Sequence, residues 1–372
     1  MDELRLKALD LAKGKPATPK ELAKVAGATT QEAAAWAFGQ WELRLRAKVK
    51  FSQADSMLFG REALEQSTHE AVASYHARLF PVDQLVVDCT AGIGADLLAL
   101  ARRGPAVGFE LDAERAEMAR FNLNSQNLEA EVKVQDCLEK PWGTEFAFAD
   151  PARRVESRRT LNPEEFSPNP TTLAANMRDL KLGVIKLSPL LSDSFLEDLA
   201  PRLEFISYDR ECREVLAIMG MEAKPGRFAI HVESGEAIPD AFPPVEVHTP
   251  GQYLFDVDPA AVRAHAIGTL CARFDLSPLG TASGYLTGEV AIFSPWLRTY
   301  RVLYSGKADL KTTRRALSEL DVRVAEVKQR GAKADVDKLR KELSTSGKSA
   351  ASLVLWMDGA SVRHTLAVLE SQ

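Results

Sequence analysis

The 372-residue sequence is poor in the features that mark secreted, metal-bound or membrane proteins. Its four cysteines, Cys89, Cys137, Cys212 and Cys271, are far apart. They form no Cys-x-x-Cys pair and no disulfide framework, and they read as small buried hydrophobes in a reducing cytoplasm. The six histidines are scattered without metal-ligand spacing, so no metal is expected. The longest apolar runs, such as Phe146–Ala149 and Ser352–Met357, have strand length. A membrane span needs ~18 residues, so no membrane association is expected. The opening Met1-Asp-Glu-Leu-Arg-Leu-Lys alternates charged with apolar residues, unlike a signal peptide.

What is present fits a globular protein of two or three domains: 45% hydrophobic and 27% charged residues. The net charge is −5, but it is unevenly spread. Residues 298–348 hold fourteen Lys or Arg against seven Asp or Glu. A basic module on an acidic body is what an anionic partner favours, although a solvated helical surface also produces one.

Residues 1–80 read as helical. Thr18-Pro-Lys-Glu21, Thr29-Thr-Gln-Glu32 and Ser67-Thr-His-Glu70 are capping boxes. Ala34, Phe38, Trp41, Leu45 and Val49 form an amphipathic stripe. From Leu85 strands and helices alternate. Strands are expected at 85–88, 106–110, 132–136, 146–150, 184–188, 205–208, 214–219 and 228–232, with helices at 95–103 and 113–126. That is an α/β fold with a doubly wound, mostly parallel sheet over 81–250. Four prolines in 238–250 suggest a domain exit, with 251–297 as a connecting segment. Residues 298–372 read as a compact β-α-β-α-β-β module.

The chemistry lies in Leu85-Val-Val-Asp88-Cys-Thr-Ala91-Gly92-Ile-Gly94-Ala-Asp96. Glycines let a strand-to-helix turn close tightly and let a ligand approach the backbone. A dinucleotide fingerprint wants a third small residue at position 97, where this chain has Leu97. Acids also end the first four strands: Asp88, Glu110, Asp136 and Asp150. A row of carboxylates suits S-adenosylmethionine, which has no phosphate but offers an ammonium, a ribose diol and an adenine amine as donors. Glu110 is positioned to take the ribose hydroxyls and Asp136 the adenine amine. Strand-end acids that only cap the next helix are the bland alternative.

The constellation resembles class I S-adenosylmethionine-dependent methyltransferases across roughly residues 60–235, with a Rossmann-like sheet. The resemblance implies that Asp88, Ala91, Gly92 and Gly94 hold the methionine end, with Gln66 and Thr68 reaching over it. It implies that Glu110 holds the ribose and that Asp136 and Cys137 face the adenine. Asp150-Pro151-Ala152-Arg153 falls where nucleic-acid amino methyltransferases carry an acid or amide, two prolines and an aromatic. There Asp150 would accept from the target amine and Pro151 would stiffen the loop. Ala152 and Arg153 depart from that pattern. Asp-Pro-x-Arg also resembles uracil-C5 methyltransferases, but Lys186-Leu-Ser-Pro-Leu supplies no nucleophilic cysteine.

The whole chain is similar to a bacterial group of class I methyltransferases with a THUMP-like C-terminal domain. The matching pieces include 41–51, 62–66, 91–96, 150–154, 283–287, 298–303 and 325–331. The resemblance implies methylation of a base in tRNA or rRNA. Arg154 and Arg158 would hold phosphates beside the target base. Lys311, Arg314, Arg315, Lys338 and Lys341 would grip RNA from the C-terminal helices. A non-catalytic RNA-binding protein retaining the cofactor fold, and a small-molecule or protein methyltransferase, are the competing readings.

Overall fold

The computed structural model describes residues 2–139, 142–155, 158–281, 284–343 and 346–370. Ser283, in one of the matching pieces, lies outside the described residues. The chain divides into two compact units. One runs to Pro201 and takes in Leu216–Lys224; the other holds Arg202–Val215 and the chain from Pro225 onward.

The first unit opens with helices α1 (Glu3–Ala12), α2 (Pro19–Ala28), α3 (Gln31–Ala47), α4 (Arg61–Gln66) and α5 (Glu70–Arg78). Thr18 caps α2 through the Glu21 N–H, with Pro19 at the first helical position. The other two caps shift by one or two residues. Thr30 caps α3 through the Ala33 N–H, because the Thr29 hydroxyl is donated to the Val25 carbonyl at the end of α2. His69 caps α5 through the Ala71 N–H, while Ser67 donates to the Leu64 carbonyl.

The stripe on α3 holds only in its first half. Ala34 and Phe38 are buried, whereas Leu45 and Val49 are 69% and 76% exposed. The buried face instead includes Gln40 and Arg44, which bond the backbone of Phe59 and Met57. Two polar side chains on that face satisfy a loop that has no ladder of its own.

The sheet of this unit contains β1 (Val86–Asp88), β2 (Ala106–Glu110), β3 (Glu131–Val134), β4 (Phe146–Ala149) and β7 (Leu182–Leu187). Its order is β3-β2-β1-β4-β7, with every pair parallel. Strand β4, Phe-Ala-Phe-Ala, is buried at all four positions, as a central parallel strand requires. The links are α6 (Ala95–Arg103), α7 (Ala113–Ser125) and α8 (Pro170–Met177). A two-stranded ribbon, β5 (Arg154–Val155) and β6 (Arg158–Arg159), precedes α8, and α9 (Asp193–Leu199) follows β7.

In the second unit, β8 (Arg202–Tyr208) pairs in parallel with β10 (Gly226–His231), which pairs antiparallel with β11 (Glu236–Pro239). Strand β9 (Glu211–Met219) leaves β8 through a two-residue turn, and both turn residues, Asp209 and Arg210, have positive φ. A seven-stranded sheet follows. Its strands are β12 (Tyr253–Val257), β13 (Ser277–Pro278), β14 (Tyr285–Gly288), β15 (Leu297–Lys307), β16 (Val322–Gln329), β17 (Ser349–Asp358) and β18 (Ser361–Leu369). The order is β13-β14-β12-β15-β18-β17-β16. The stretch read as a connecting segment therefore supplies three strands of this sheet, along with α10 (Pro259–Arg263) and α11 (Ile267–Phe274). Helices α12 (Leu310–Glu319) and α13 (Val336–Glu342) share one apolar cluster with β16, β17 and β18. This gives the expected β-α-β-α-β-β order. Among the described residues, no helix is long and apolar enough to cross a membrane.

Candidate active site

The turn after β1 is stitched to both neighbouring strands. Cys89 N–H donates to the Phe148 carbonyl of β4 and Ala91 N–H to the Phe109 carbonyl of β2, each at 2.8 Å. Gly92 and Gly94 have φ of 54° and 93°, values an L side chain resists. Gly94 caps α6 in the left-handed conformation. A third glycine matters here without any signal in the sequence pattern. A Cβ on Gly108 of β2 would lie 2.6 Å from Leu97 and 2.9 Å from Ala91, so its absence lets the turn and α6 seat on the sheet.

Beside this turn, at the carboxyl ends of the parallel strands, is a cleft of about 480 Å³. That is where ligands bind in such sheets, and the volume is in the ordinary range for a small-molecule pocket. Gln66, Thr68, Ala91, Gly92, Glu110, Asp136, Cys137, Asp150, Pro151 and Arg153 all line it. Asp88 and Gly94 are not among its lining residues; Asp88 ends β1 and Gly94 caps α6.

Glu110 is held by two backbone donors, Gly92 N–H at 2.8 Å and Asp112 N–H at 2.9 Å, one on each oxygen. Each oxygen keeps a second lone pair for a ligand hydroxyl. Asp136 lies two residues beyond β3 instead of closing it, because β3 pairs with β2 only as far as Val134 opposite Glu110. Its carboxylate accepts from Leu138 N–H at 2.9 Å. Cys137 is buried, and its carbonyl accepts the Trp142 indole N–H, which fixes this wall of the cleft. Asp88 is 1% exposed; Oδ1 accepts from Thr90 N–H, while Oδ2 is among the buried polar atoms with no partner. Burial first, then the nearby Asp96, Asp150 and Glu110 carboxylates, push its pKa well above the usual range.

The link between α4 and α5 also lines the cleft. Lys50 donates to the carbonyls of Leu64, Glu65 and Ser67 at 2.8, 3.0 and 2.8 Å. It thereby satisfies the end of α4 and fixes Gln66 and Thr68 over the cleft. Gln66 also donates to Glu62 at 3.0 Å.

Asp150 is not alone at the strand end. Its Oδ2 accepts from Lys186 Nζ at 2.6 Å, and the same ammonium donates to Thr68 Oγ1 at 2.9 Å. Thr68 donates to Asp96 Oδ2 at 2.7 Å, and Asp96 Oδ1 meets His76 Nδ1 at 2.7 Å. Burial pushes the Asp96 pKa up, but His76, Lys186 and Thr68 outweigh it and hold the group below the usual carboxylate range. Sequence reasoning does not reach Lys186, Asp96 or His76 as site residues. Their one sequence signal is a lysine inside the otherwise apolar strand Leu-Gly-Val-Ile-Lys-Leu.

The loop leaving Asp150 closes on itself. Ala152 and Ser167 exchange backbone bonds at 2.8 and 3.1 Å, and Thr160 N–H donates to the Arg153 carbonyl. This returns Ser167 and Pro168 to the cleft beside Pro151 and Arg153. Arg154 stands on β5 and Arg158 on β6, within the excursion.

Of the basic residues predicted in the C-terminal module, Lys311, Arg314, Arg315, Lys338 and Lys341 are all exposed on α12 and α13. Two have partners. Arg314 Nε donates to the Glu342 carbonyl at 2.8 Å, joining α12 to the end of α13, and Arg315 pairs with Glu319 at 2.7 Å.

A glycine turn after the first strand and a carboxylate-lined cleft at the carboxyl ends of a 3-2-1-4 parallel sheet define a Rossmann-like enzyme for a nucleoside cofactor. An uncharacterized S-adenosylmethionine-dependent methyltransferase of Mycobacterium tuberculosis, present in two strains, is 32% identical over 347 residues. The match covers 90% of this chain and 96% of that protein. The chain belongs to this family of S-adenosylmethionine-dependent methyltransferases. A family model described as THUMP domain-like matches residues 297–370. A crystal structure described as a putative methyltransferase, from Porphyromonas gingivalis W83, has the same fold. Its TM-score is 0.73 at 21% identity, covering 99% of this chain and 96% of that one. The cleft's acceptors fit the family's cofactor: carboxylates from Glu110, Asp136 and Asp150 line it, matching a ligand of donors and positive charge.

Proposed function

We propose that this chain transfers a methyl group from S-adenosylmethionine to a base in tRNA or rRNA, in the cytoplasm. In this reading residues 81–250 catalyse and residues 298–372 bind the RNA. The observation that carries it is the Asp150 carboxylate at the cleft of a family methyltransferase, in a chain whose matched C-terminal module holds the basic surplus. When bound, the cofactor supplies a methyl group made electrophilic by its sulfonium.

The chain's own residues do the rest. Glu110 accepts the ribose hydroxyls, Asp136 and Cys137 border the adenine, and Gln66, Thr68, Ala91 and Gly92 enclose the methionine end. Asp88 and Gly94 shape the turn at its two ends. Asp150 accepts a hydrogen bond from the target amine and directs its lone pair at the methyl group. Pro151 holds the backbone there stiff, and Arg153 stands at the acceptor end of the cleft. Arg154 and Arg158, with Lys311, Arg314, Arg315, Lys338 and Lys341, contact phosphates and add affinity without reading sequence.

The test is labelled-methyl transfer to total RNA from a strain lacking the gene, followed by nucleoside mass spectrometry. One methylated base should account for the label. No incorporation into RNA, with incorporation into protein or small molecules, rejects the RNA reading.

A further inference from the structure

We propose that Lys186 is a positioning residue, whose ammonium, anchored on Thr68, fixes the Asp150 carboxylate where the acceptor arrives. The inference rests on the reading of Asp150 given above. Lys186 is 9% exposed on β7, and a buried ammonium is costly unless it is paired. Its pairing is directional. A hydroxyl has one proton; Thr68 gives that proton to Asp96 and so must accept from Lys186. Ionised Asp96 only accepts, so His76 donates from Nδ1. The chain His76, Asp96, Thr68, Lys186, Asp150 thus has each donor and acceptor assigned, and it ends on the carboxylate in the cleft.

The His76 ring is itself held against Phe148 of β4, with centroids 5.1 Å apart. The relay therefore joins α5, α6 and β7 to the end of β4, and it includes the wall that covers the cleft. It gives Asp150 a fixed rotamer and a countercharge. Among the described residues, the charged groups near the pair include Asp88 from β1, Asp96 from α6, His76 from α5 and Arg153 from the loop after β4. Lys186 Nζ is bonded directly to Asp150 Oδ2 at 2.6 Å.

The experiment compares Lys186→Met and Lys186→Arg with the parent, using the full chain. Carboxyl carbon NMR follows the titration of Asp150, assigned with Asp150→Asn. Calorimetry measures S-adenosylmethionine affinity, and methyl transfer to total RNA gives kcat and KM. In Lys186→Met the Asp150 titration should move up by at least one pH unit. Cofactor affinity should stay within threefold, and kcat should fall at least thirtyfold with little change in KM. Lys186→Arg should return the titration towards that of the parent and restore part of kcat.

An Asp150 titration unmoved in Lys186→Met overturns the proposal, as does transfer at the parental kcat. If Lys186→Met does not fold, Lys186→Arg and Thr68→Val decide. Both should lower kcat, Lys186→Arg with cofactor affinity within threefold, and parental kcat in both overturns the proposal. The titration needs no RNA. If no RNA accepts a methyl group from the parent, the RNA reading fails while the NMR result still decides whether Lys186 governs Asp150.

Discussion

The backbone N–H of Gly92 donates to Oε2 of Glu110 at 2.8 Å, so the glycine turn of the first strand and the acid ending the second form one piece. The other Glu110 oxygen holds Asp112 N–H, which enters α7. One carboxylate thus organises two backbone segments of the cleft, with one lone pair on each oxygen not taken by these bonds.

Glu110→Ala should therefore weaken cofactor binding by at least tenfold. Each hydrogen bond from a ligand hydroxyl to a charged acceptor is worth about 1.5–3 kcal/mol before water compensates. Glu110→Gln should lose less, because the amide oxygen still accepts one bond. Calorimetry with S-adenosylmethionine separates the outcomes, and equal affinity in Glu110→Ala and the parent would remove Glu110 from the site.

Asp150→Asn should bind S-adenosylmethionine nearly as the parent does yet transfer methyl ~100-fold more slowly, the scale of loss that a misplaced acceptor brings. It should also cost stability. Removing a charge from a buried pair leaves its partner uncompensated, at about 3 kcal/mol or more for full burial. Here Asp96 remains near Lys186 and Asp150 is 28% exposed, so the loss should be smaller. Single-turnover transfer and thermal unfolding measure the two effects. Parental transfer rates would reduce Asp150 to a strand-end cap.

How much of this is legible in the sequence depends on how local the cause is. The Gly92 and Gly94 turn, Glu110 and the strand-end Asp150 are readable because strand, turn and helix are adjacent in the chain. The helices at 95–103 and 113–125 fall within a residue of expectation for the same reason. Thr68 is expected over the methionine end, but the sequence gives no hint of its bonded neighbours. Its partners Asp96 and Lys186 are 28 and 118 residues away, and no spacing rule links them. Lys50 is similarly silent, since its role is to satisfy carbonyls 14 to 17 residues on. The strands at 253–257 and 285–288 escape a sequence reading because they are short and pair with each other across α10, α11 and β13, which leaves no tight-hairpin signal.

The two buried acids of the first unit should titrate stability in opposite directions. The Asp96 pKa is lowered in the folded protein, so the unfolded chain binds the proton more readily near pH 4. Its contribution is present above the ordinary carboxylate range and is lost as pH falls through it. The Asp88 pKa is raised, so the folded protein binds the proton more readily, and stability is lost as pH rises above the ordinary range. Asp88→Asn, which carries no charge, should therefore raise Tm at pH 7 to 8 and give little gain near pH 4. Asp96→Asn should lower Tm at pH 7 and converge on the parent in acid. Thermal unfolding across pH 4 to 8 checks both, and a Tm difference for Asp88→Asn that is flat with pH would contradict the assignment.

The basic helices α12 and α13 allow a sharper test of RNA binding than charge alone suggests. Arg314 has a structural bond to the Glu342 carbonyl, and Arg315 is engaged by Glu319, an exposed pair of small energetic weight. Reversing Arg314 would disturb the packing of α12 against α13 and blur any result. Lys311, Lys338 and Lys341 are exposed on the same two helices. Lys311→Glu, Lys338→Glu and Lys341→Glu together should weaken binding to unrelated RNA sequences alike. They should also flatten the slope of log affinity against log salt by roughly 0.7–0.9 for each phosphate no longer neutralised. S-adenosylmethionine affinity should not change, because its acids and glycines belong to the other unit. Arg315→Gln should have a smaller effect, since its charge is already partly neutralised by Glu319. Filter binding at several salt concentrations reads both variants against the parent. If the triple variant keeps the parental slope, these lysines only solvate the helices, and the RNA surface must be sought elsewhere in the chain.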